Sequence, residues 1–507
     1  MILLLSIIVP IIVIYLLHKC KTSPQNDVVR LPPGPPGLPL IGNLLQIGSA
    51  ADLPFYLWQL SKKYGPIMQM RIGCVPMLII SSPKLAQEVM KTQDLAFCNR
   101  TKFLGQKKLS YNCTDMTFSP YGEYWREVRK ITAVHLFSLK KKQSFRPIRE
   151  DEVSRMVAKI RSLSSSESQE PRPVDLSHVA MTLGRSLISR FAFGKRYDGG
   201  GPEARMFEKL LHDAEAALMQ FYVSDYFPSL MWVDRLSGAV DRVDRIFDAL
   251  DSFYQKLIDE HLDPRRAKEE KEEEEDILDV LIKIKEEKLS SIDFDWDRVK
   301  ALLADIFIAG TDTSAASIVW TMTALIKAPK VMQKVQAEIR NLVGKKGEVD
   351  EDDFANLPYL KAVIKETFRL YPPAPLLVPR QTIEKCTLEG YEIQPKTVVY
   401  VNAWAIARDA EYWKNPDEFV PERFLNSTID FKGQDFELIP FGSGRRVCPG
   451  MLMGLSNVEL TVANLLYSFD WELPAGIRSE DIDTDPLPGI TMHKKNPLLL
   501  VAKKYDV

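Results

Sequence analysis

The chain has 507 residues, 45% of them hydrophobic, and its 66 basic side chains nearly balance 68 acidic ones for a formal net charge of −2. That balance leaves no electrostatic footprint for nucleic acid, and the apolar share is enough for a large buried core. The six cysteines (20, 74, 98, 113, 386 and 448) contain no Cys-x-x-Cys pair, which argues against a disulfide framework or a zinc module and for a reducing compartment.

The first element is Ile2 to Leu17, apolar apart from Ser6 and Tyr15, with His18, Lys19 and Lys21 following it. Basic residues after the apolar stretch predict an uncleaved signal anchor over residues 1–21, single-pass, with the body of the protein on the cytosolic side. At 1.5 Å per residue the stretch reaches about 24 Å, close to the thinner bilayer of the endoplasmic reticulum. Pro10 predicts a modest kink in it. The alternative is a cleaved secretory signal, in which case the sequons at Asn99, Asn112 and Asn426 would carry glycans.

Residues 22–40 form a linker that ends in Leu31-Pro32-Pro33-Gly34-Pro35-Pro36-Gly37-Leu38-Pro39. The prolines predict a stiff polyproline II hinge that spaces the body from the bilayer. An SH3-type ligand is the weaker reading, because the run joins directly to Leu40-Ile41-Gly42-Asn43-Leu44. No Gly/Ser-rich linker divides residues 41–507, which predicts one large domain. Helical apolar periodicity dominates it, and β-like pieces occur only at about 67–80 and 385–401, so the fold class is mainly α with small β-sheets. The nearly all-charged run Arg265 to Asp276 reads as a solvated connector.

Trp125 and Arg129 stand at i and i+4, as do many surface pairs, and Glu123 with Arg126 reads as such a pair. Ala301 to Ile326 predicts a long core helix interrupted by Ala309-Gly310-Thr311-Asp312-Thr313-Ser314. Residues 309, 310 and 313 share a helical face, where small side chains could admit a diatomic ligand beside an acid and an alcohol. Hydroxyls bonded back to the helix carbonyls are the competing explanation. Glu366 and Arg369 also share a helical face and can pair.

The most informative run is Phe441-Gly442-Ser443-Gly444-Arg445-Arg446-Val447-Cys448-Pro449-Gly450. Its glycines let the backbone approach a large flat ligand, and the apolar stretch Met451 to Leu466 places Cys448 near a helix N-terminus, where the macrodipole favours thiolate. The run lacks the lysine and glycine spacing of a phosphate loop.

This run fits the pattern Phe-x-x-Gly-x-Arg-x-Cys-x-Gly, and the chain resembles the cytochrome P450 family, of plant microsomal type, over nearly all of residues 31–505. The resemblance implies the cytochrome P450 fold and a haem b whose iron takes Cys448 as its axial thiolate. It implies Phe441 beside the sulfur, Arg446, Trp125, Arg129 and Arg380 (of Val378-Pro379-Arg380) near the propionates, and Arg445 exposed. Asp312 and Thr313 take the catalytic positions of the family's oxygen-activation motif. Glu366, Arg369 and Arg423 (of Pro421-Glu422-Arg423-Phe424) match its structural triad, which would tie the cysteine loop to the core. Phe368 and Tyr371 depart from the pattern, standing where leucine and histidine are commonest, and they leave the triad intact.

The implied activity is monooxygenation: one atom of O2 enters a small lipophilic substrate of plant specialised metabolism. No Gly-x-Gly-x-x-Gly follows a strand here, so electrons must come from outside, by resemblance from an NADPH-dependent flavoprotein reductase at the endoplasmic reticulum membrane. A haem-thiolate isomerase or dehydratase and a non-enzymatic haem sensor are the alternatives, and neither needs the Asp312-Thr313 relay. By analogy the pocket draws on Phe103 to Phe118, Phe221 to Trp232, Leu302 to Ile306, Ala374 to Val378 and Gly489 to Thr491, which are largely apolar. Phe221, Tyr222, Tyr226 and Phe227 read equally as core or as a lipid-facing stripe. Terpenoid, alkaloid, phenylpropanoid and aldoxime substrates fit equally well.

Overall fold

A computed structural model describes residues 30–48, 52–164, 172–197, 201–266 and 275–505. The expected anchor, the linker up to residue 29 and most of the charged run at 265–276 lie outside these residues.

Six helices carry the site: α1 (Glu123–Ile131), α2 (Leu176–Phe193), α3 (Pro202–Met219), α4 (Trp296–Lys327), α5 (Pro358–Leu370) and α6 (Met451–Ser468). Helix α4 starts where the Asp295 carboxylate accepts the Arg298 N–H at 3.0 Å, a side-chain cap for one of the unpaired first-turn donors. Among the described residues it is the one helix long and apolar enough to cross a bilayer, but 72% of its apolar window is buried in protein. It is the central core helix.

Two glycines lie where α4 meets α2. A Cβ on Gly184 would stand 2.5 Å from the Thr311 carbonyl oxygen, and one on Gly310 would stand 2.5 Å from Ile188 Cδ1. A larger residue at 184 would push the two backbones apart, whereas one at 310 would displace only the tip of the Ile188 side chain. Gly310 keeps accessible surface together with Ala309 and Thr313 on the expected face of α4.

Among the described residues eleven short strands, numbered β1 to β11 in chain order, form small sheets. The largest pairs β1 (Ile67–Ile72), β2 (Val75–Ile80), β7 (Val398–Val401) and β4 (Arg380–Gln381) in the order β1-β2-β7-β4, with β2 and β7 parallel. Strands β5 (Cys386–Leu388) and β6 (Tyr391–Ile393) make a hairpin within the second expected β region. The sheet β3-β11-β8 (Val174–Asp175, Leu499–Lys504, Phe469–Glu472) and the pair β9/β10 (Pro486–Leu487, His493–Lys494) have no counterpart in the sequence reading. Most of these segments are too short to show a period of two, and long-range main-chain pairing decides them.

The proline run does not stand off from the body throughout. Gln69 donates its N–H to the Pro33 carbonyl at 2.8 Å, Asn43 Nδ2 donates to the Pro35 carbonyl at 3.1 Å, and a Cβ on Gly34 would come within 1.9 Å of the Gln69 oxygen. From Pro33 onward the chain lies on β1 as part of the domain, earlier than the expected boundary at residue 40.

Candidate active site

The loop before α6 is built around Cys448. Its N–H donates to the Phe441 carbonyl at 2.9 Å, and Gly442 and Gly444 adopt φ of +69° and +70°. A side chain at Gly444 would put its Cβ 2.0 Å from the Met90 carbonyl oxygen, so backbone conformation and space both require glycine there. The Ser443 hydroxyl donates to the Gly433 carbonyl at 2.6 Å. Phe441 packs edge-to-face against Phe368 of α5, with ring centroids 5.3 Å apart, and against Phe431 at 5.5 Å.

Gly450 stands at the cap of α6 without a side chain to take the first donors, and its N–H donates to the Cys448 sulfur. Burial nevertheless pushes the Cys448 thiol up from its ordinary pKa, and the Gly450 N–H and the nearby Arg129 charge only partly offset it. The expected N–H at the helix start does lower this pKa, but burial outweighs it. A metal cation at the sulfur is what would deprotonate it outright.

Beside the loop lies a cluster of guanidiniums. Arg446 stacks over Trp125 at 4.3 Å and donates to the carbonyls of Cys98 (2.9 Å), Met116 (3.2 Å) and Ser119 (2.6 Å). Trp125 Nε1 donates to the Met116 carbonyl at 3.0 Å. Arg380 divides its donors between Asp94 Oδ1 (2.7 Å) and the Ser443 carbonyl (2.8 Å), which clamps the cysteine loop. The other Asp94 oxygen accepts the N–H and Nη1 of the exposed Arg445, both at 3.0 Å. Arg100, absent from the sequence reading, donates to the carbonyls of Thr117, Val378 and Pro379 at 3.0, 2.6 and 2.7 Å.

Burial lowers the pKa of Arg446 to about 10 and, with repulsion from Arg446 and Arg380, lowers that of Arg100. Arg129 differs from the others. Its one hydrogen-bond contact among the described residues is Met116 Sδ at 3.8 Å, and burial depresses its pKa with only Cys448 opposing. It is a half-buried cation without a carboxylate partner.

On α4, Thr311, Thr313 and Ser317 donate back to the carbonyls of Phe307 (2.8 Å), Ala309 (3.0 Å) and Thr313 (2.8 Å). Thr311 and Ser317 are buried, whereas Ala309 and Thr313 keep accessible surface in the middle of a core helix and so line an internal space. Asp312 points elsewhere: its Oδ1 lies 2.6 Å from His493 Nε2.

Glu366, Arg369 and Arg423 converge as expected. Arg369 makes a fork to Glu366 at 2.8 and 2.9 Å, Arg423 Nε reaches Glu366 Oε1 at 3.0 Å, and the Val420 N–H donates to that same oxygen at 2.8 Å. The remaining Arg369 donors hold the carbonyls of Ala407, Pro416 and Glu418 at 2.7, 2.6 and 2.9 Å. The triad thus grips residues 407–423, the segment leading to the cysteine loop, rather than that loop itself. Glu123 and Arg126 form the expected exposed pair at 3.8 Å.

Residues 32–501 match the family described as Cytochrome P450. The chain belongs to the cytochrome P450 family. It is 50% identical to 6,7,8-trihydroxycoumarin synthase of Pastinaca sativa over 98% of this chain and 97% of that protein. A 5-OH-xanthotoxin synthase of Pastinaca sativa is 49% identical over the same shares, and strychnine-11-hydroxylase of Strychnos nux-vomica is 46% identical over 96% and 94%. A zebrafish cytochrome P450 solved with abiraterone shares the fold, at 23% identity and a TM-score of 0.73, over 90% of this chain and all of that one.

P450 proteins bind haem through a cysteine thiolate and iron, and this one is a haem-thiolate monooxygenase of plant specialised metabolism. Its residues fit the group. A half-buried sulfur accepts an N–H at a helix start, and Arg129, with no carboxylate partner among the described residues, sits within a cluster richer in guanidiniums than in carboxylates, as an anionic cofactor requires. The family departures are packing solutions: Phe368 braces Phe441, and Tyr371 stacks on the buried Trp320 with centroids 4.5 Å apart.

Because Glu366 and Arg369 are 0% exposed, Glu366→Ala strands both arginine charges in a dry site. The expected cost is about 3–5 kcal/mol, read as loss of folded, haem-loaded protein on expression. A normal holoprotein yield and denaturation midpoint would contradict it.

Proposed function

We propose that this P450 hydroxylates a planar, oxygen-bearing aromatic substrate of the coumarin class. The observation that carries this reading is the pair of relatives at 50% and 49% identity whose names specify hydroxylated coumarin and xanthotoxin products.

Cys448 holds the iron through its sulfur, with the Gly450 N–H and the rigid Phe441–Cys448 turn fixing the approach. Arg129 would pair a haem carboxylate. Trp125, Arg380 and Arg446 shape the same wall through their carbonyl and Asp94 contacts. The bound haem supplies activation of dioxygen by two electrons. Thr313 gives its hydroxyl proton to the Ala309 carbonyl and offers its oxygen as an acceptor at the accessible face, and Asp312 beside it exchanges protons with groups farther from the chamber. Apolar surroundings exclude bulk water and favour a lipophilic substrate.

Electrons come from an NADPH-dependent flavoprotein reductase, for which exposed Arg126, Lys130 and Arg445 offer a basic docking face. The protein is anchored by residues 1–21 in the endoplasmic reticulum membrane with its catalytic domain cytosolic. Exposed Phe221, Met231, Trp232 and Leu236 support a second contact with the bilayer, whereas Tyr222 is buried.

The purified holoprotein, reconstituted with such a reductase and a panel of coumarins and alkaloids, should form a hydroxylated coumarin that depends on both NADPH and O2. Turnover of an alkaloid alone would overturn the substrate class, and product formed without reductase would overturn the reaction. In the same assay Thr313→Ala should bind substrate normally yet lower product per NADPH by roughly an order of magnitude or more, with hydrogen peroxide rising to match. An unchanged ratio would leave Thr313 a helix-packing hydroxyl.

A further inference from the structure

Helix α3 presents Glu215 to Asp312, a second meeting of acidic side chains at α4 besides that of Asp305 with Asp115. Glu215 Oε1 is buried, and no N–H or hydroxyl donor among the described residues reaches it. What the carboxyl faces, within hydrogen-bonding reach, is the Asp312 carboxyl. Two carboxyl groups in such contact, largely shielded from water, do not readily both ionise.

His493 completes the group from the other side. Its Nε2 is 2.6 Å from Asp312 Oδ1, and its side chain is 28% exposed where that of Asp312 is 5% exposed. The imidazole is held in place by both sequence neighbours. The Met492 carbonyl accepts the buried Trp320 Nε1 of α4 at 2.6 Å, and Lys494 Nζ is bonded to Asp483 at 2.7 Å. Residues from α3, α4 and β10 thus meet at Asp312, the residue directly before Thr313.

We propose that Glu215, Asp312 and His493 form a proton-holding station that feeds Thr313, with Glu215 and His493 as positioning residues acting through Asp312. The inference rests on the monooxygenase reading, whose balance is substrate plus O2 plus two protons and two electrons giving hydroxylated product and water. Both electrons come from the reductase. The protons come from solvent: His493 takes one up at its exposed edge and passes it to Asp312, while the proton shared with Glu215 is the one already stored.

When Asp312 gives its proton toward the Thr313 side, the Glu215 proton moves onto Asp312, and uptake through His493 restores the pair. Burial first, then the charge of Asp312, raises the Glu215 pKa to about 8. The stored proton is present at neutral pH and is lost as pH rises through that value. Asp312 is the charged group bearing on Glu215, His493 faces Asp312 from β10, and the neighbouring Lys494 is turned to Asp483.

The test uses the full-length holoenzyme and two near-isosteric variants, Glu215→Gln and His493→Gln, each with a normal haem spectrum as the check of folding. Infrared spectroscopy of the holoprotein, with no substrate or reductase, should show a protonated carboxyl band that titrates away near pH 8 and is missing in Glu215→Gln. In the reconstituted assay each variant should keep the wild-type spin-state affinity for substrate. Product per NADPH should fall by about tenfold, the low end of what a positioned proton donor contributes, with a larger solvent isotope effect and, for Glu215→Gln, no alkaline limb near pH 8.

Absence of the carboxyl band from wild type would overturn the station, as would variants that couple normally. Weakened substrate affinity at unchanged coupling would also overturn it, by making Glu215 a substrate contact. If wild type shows the band but forms no product with reductase and O2, the monooxygenase reading fails instead, and the two failures are distinguishable.

Discussion

The site answers to one electrostatic demand: a half-buried cysteine sulfur must sit as an anion where few water molecules are left to solvate it. The protein alone does not meet it, since burial at Cys448 outweighs both the Gly450 N–H and the Arg129 charge. What the fold supplies is position. The two left-handed glycines, the Phe441 carbonyl clasp and the empty cap of α6 leave the sulfur and one N–H fixed in relation to each other, ready for a cation to complete the charge balance.

The surrounding charges follow from the same demand. Buried guanidiniums are costly unless satisfied, and here most are satisfied by main-chain carbonyls rather than by carboxylates. Arg100 and Arg446 each hold three carbonyls, which joins the segment near residue 117 to the chain near residue 378 and to the cysteine loop. That arrangement keeps the wall positively charged while fixing its shape. The Glu366 triad works by another route: its carboxylate is shared by two guanidiniums and an N–H, and its arginines gather the carbonyls of residues 407–418.

Local features were legible in the sequence where the chemistry is compact. The decapeptide around Cys448, the capped apolar stretch that became α4, and the Glu366–Arg369 spacing each keep their partners within a few residues, so pattern and structure coincide. Where partners lie far apart the sequence was silent. Arg100 reaches carbonyls 278 and 279 residues away, and Glu215 meets Asp312 only because α3 packs beside α4. The close approach of α2 to α4 at Gly184 was silent for a related reason: its neighbour Thr311 belongs to another helix, and spacing alone does not show what packs against a helical face. The proline run read as a free spacer because hydrogen bonds from Gln69 and Asn43 to it are not encoded in its own composition.

The most direct test of the account is the reduced carbon monoxide difference spectrum of the holoprotein and of Cys448→His, measured at equal haem. Sulfur donation to iron is electronically distinct from that of imidazole. The wild type should show the strongly red-shifted Soret band of thiolate ligation, and the variant should move to the position typical of an imidazole ligand and lose monooxygenation. A Cys448→His protein that kept the wild-type band would mean that the ligand is another side chain, and the site built around Cys448 would be wrong.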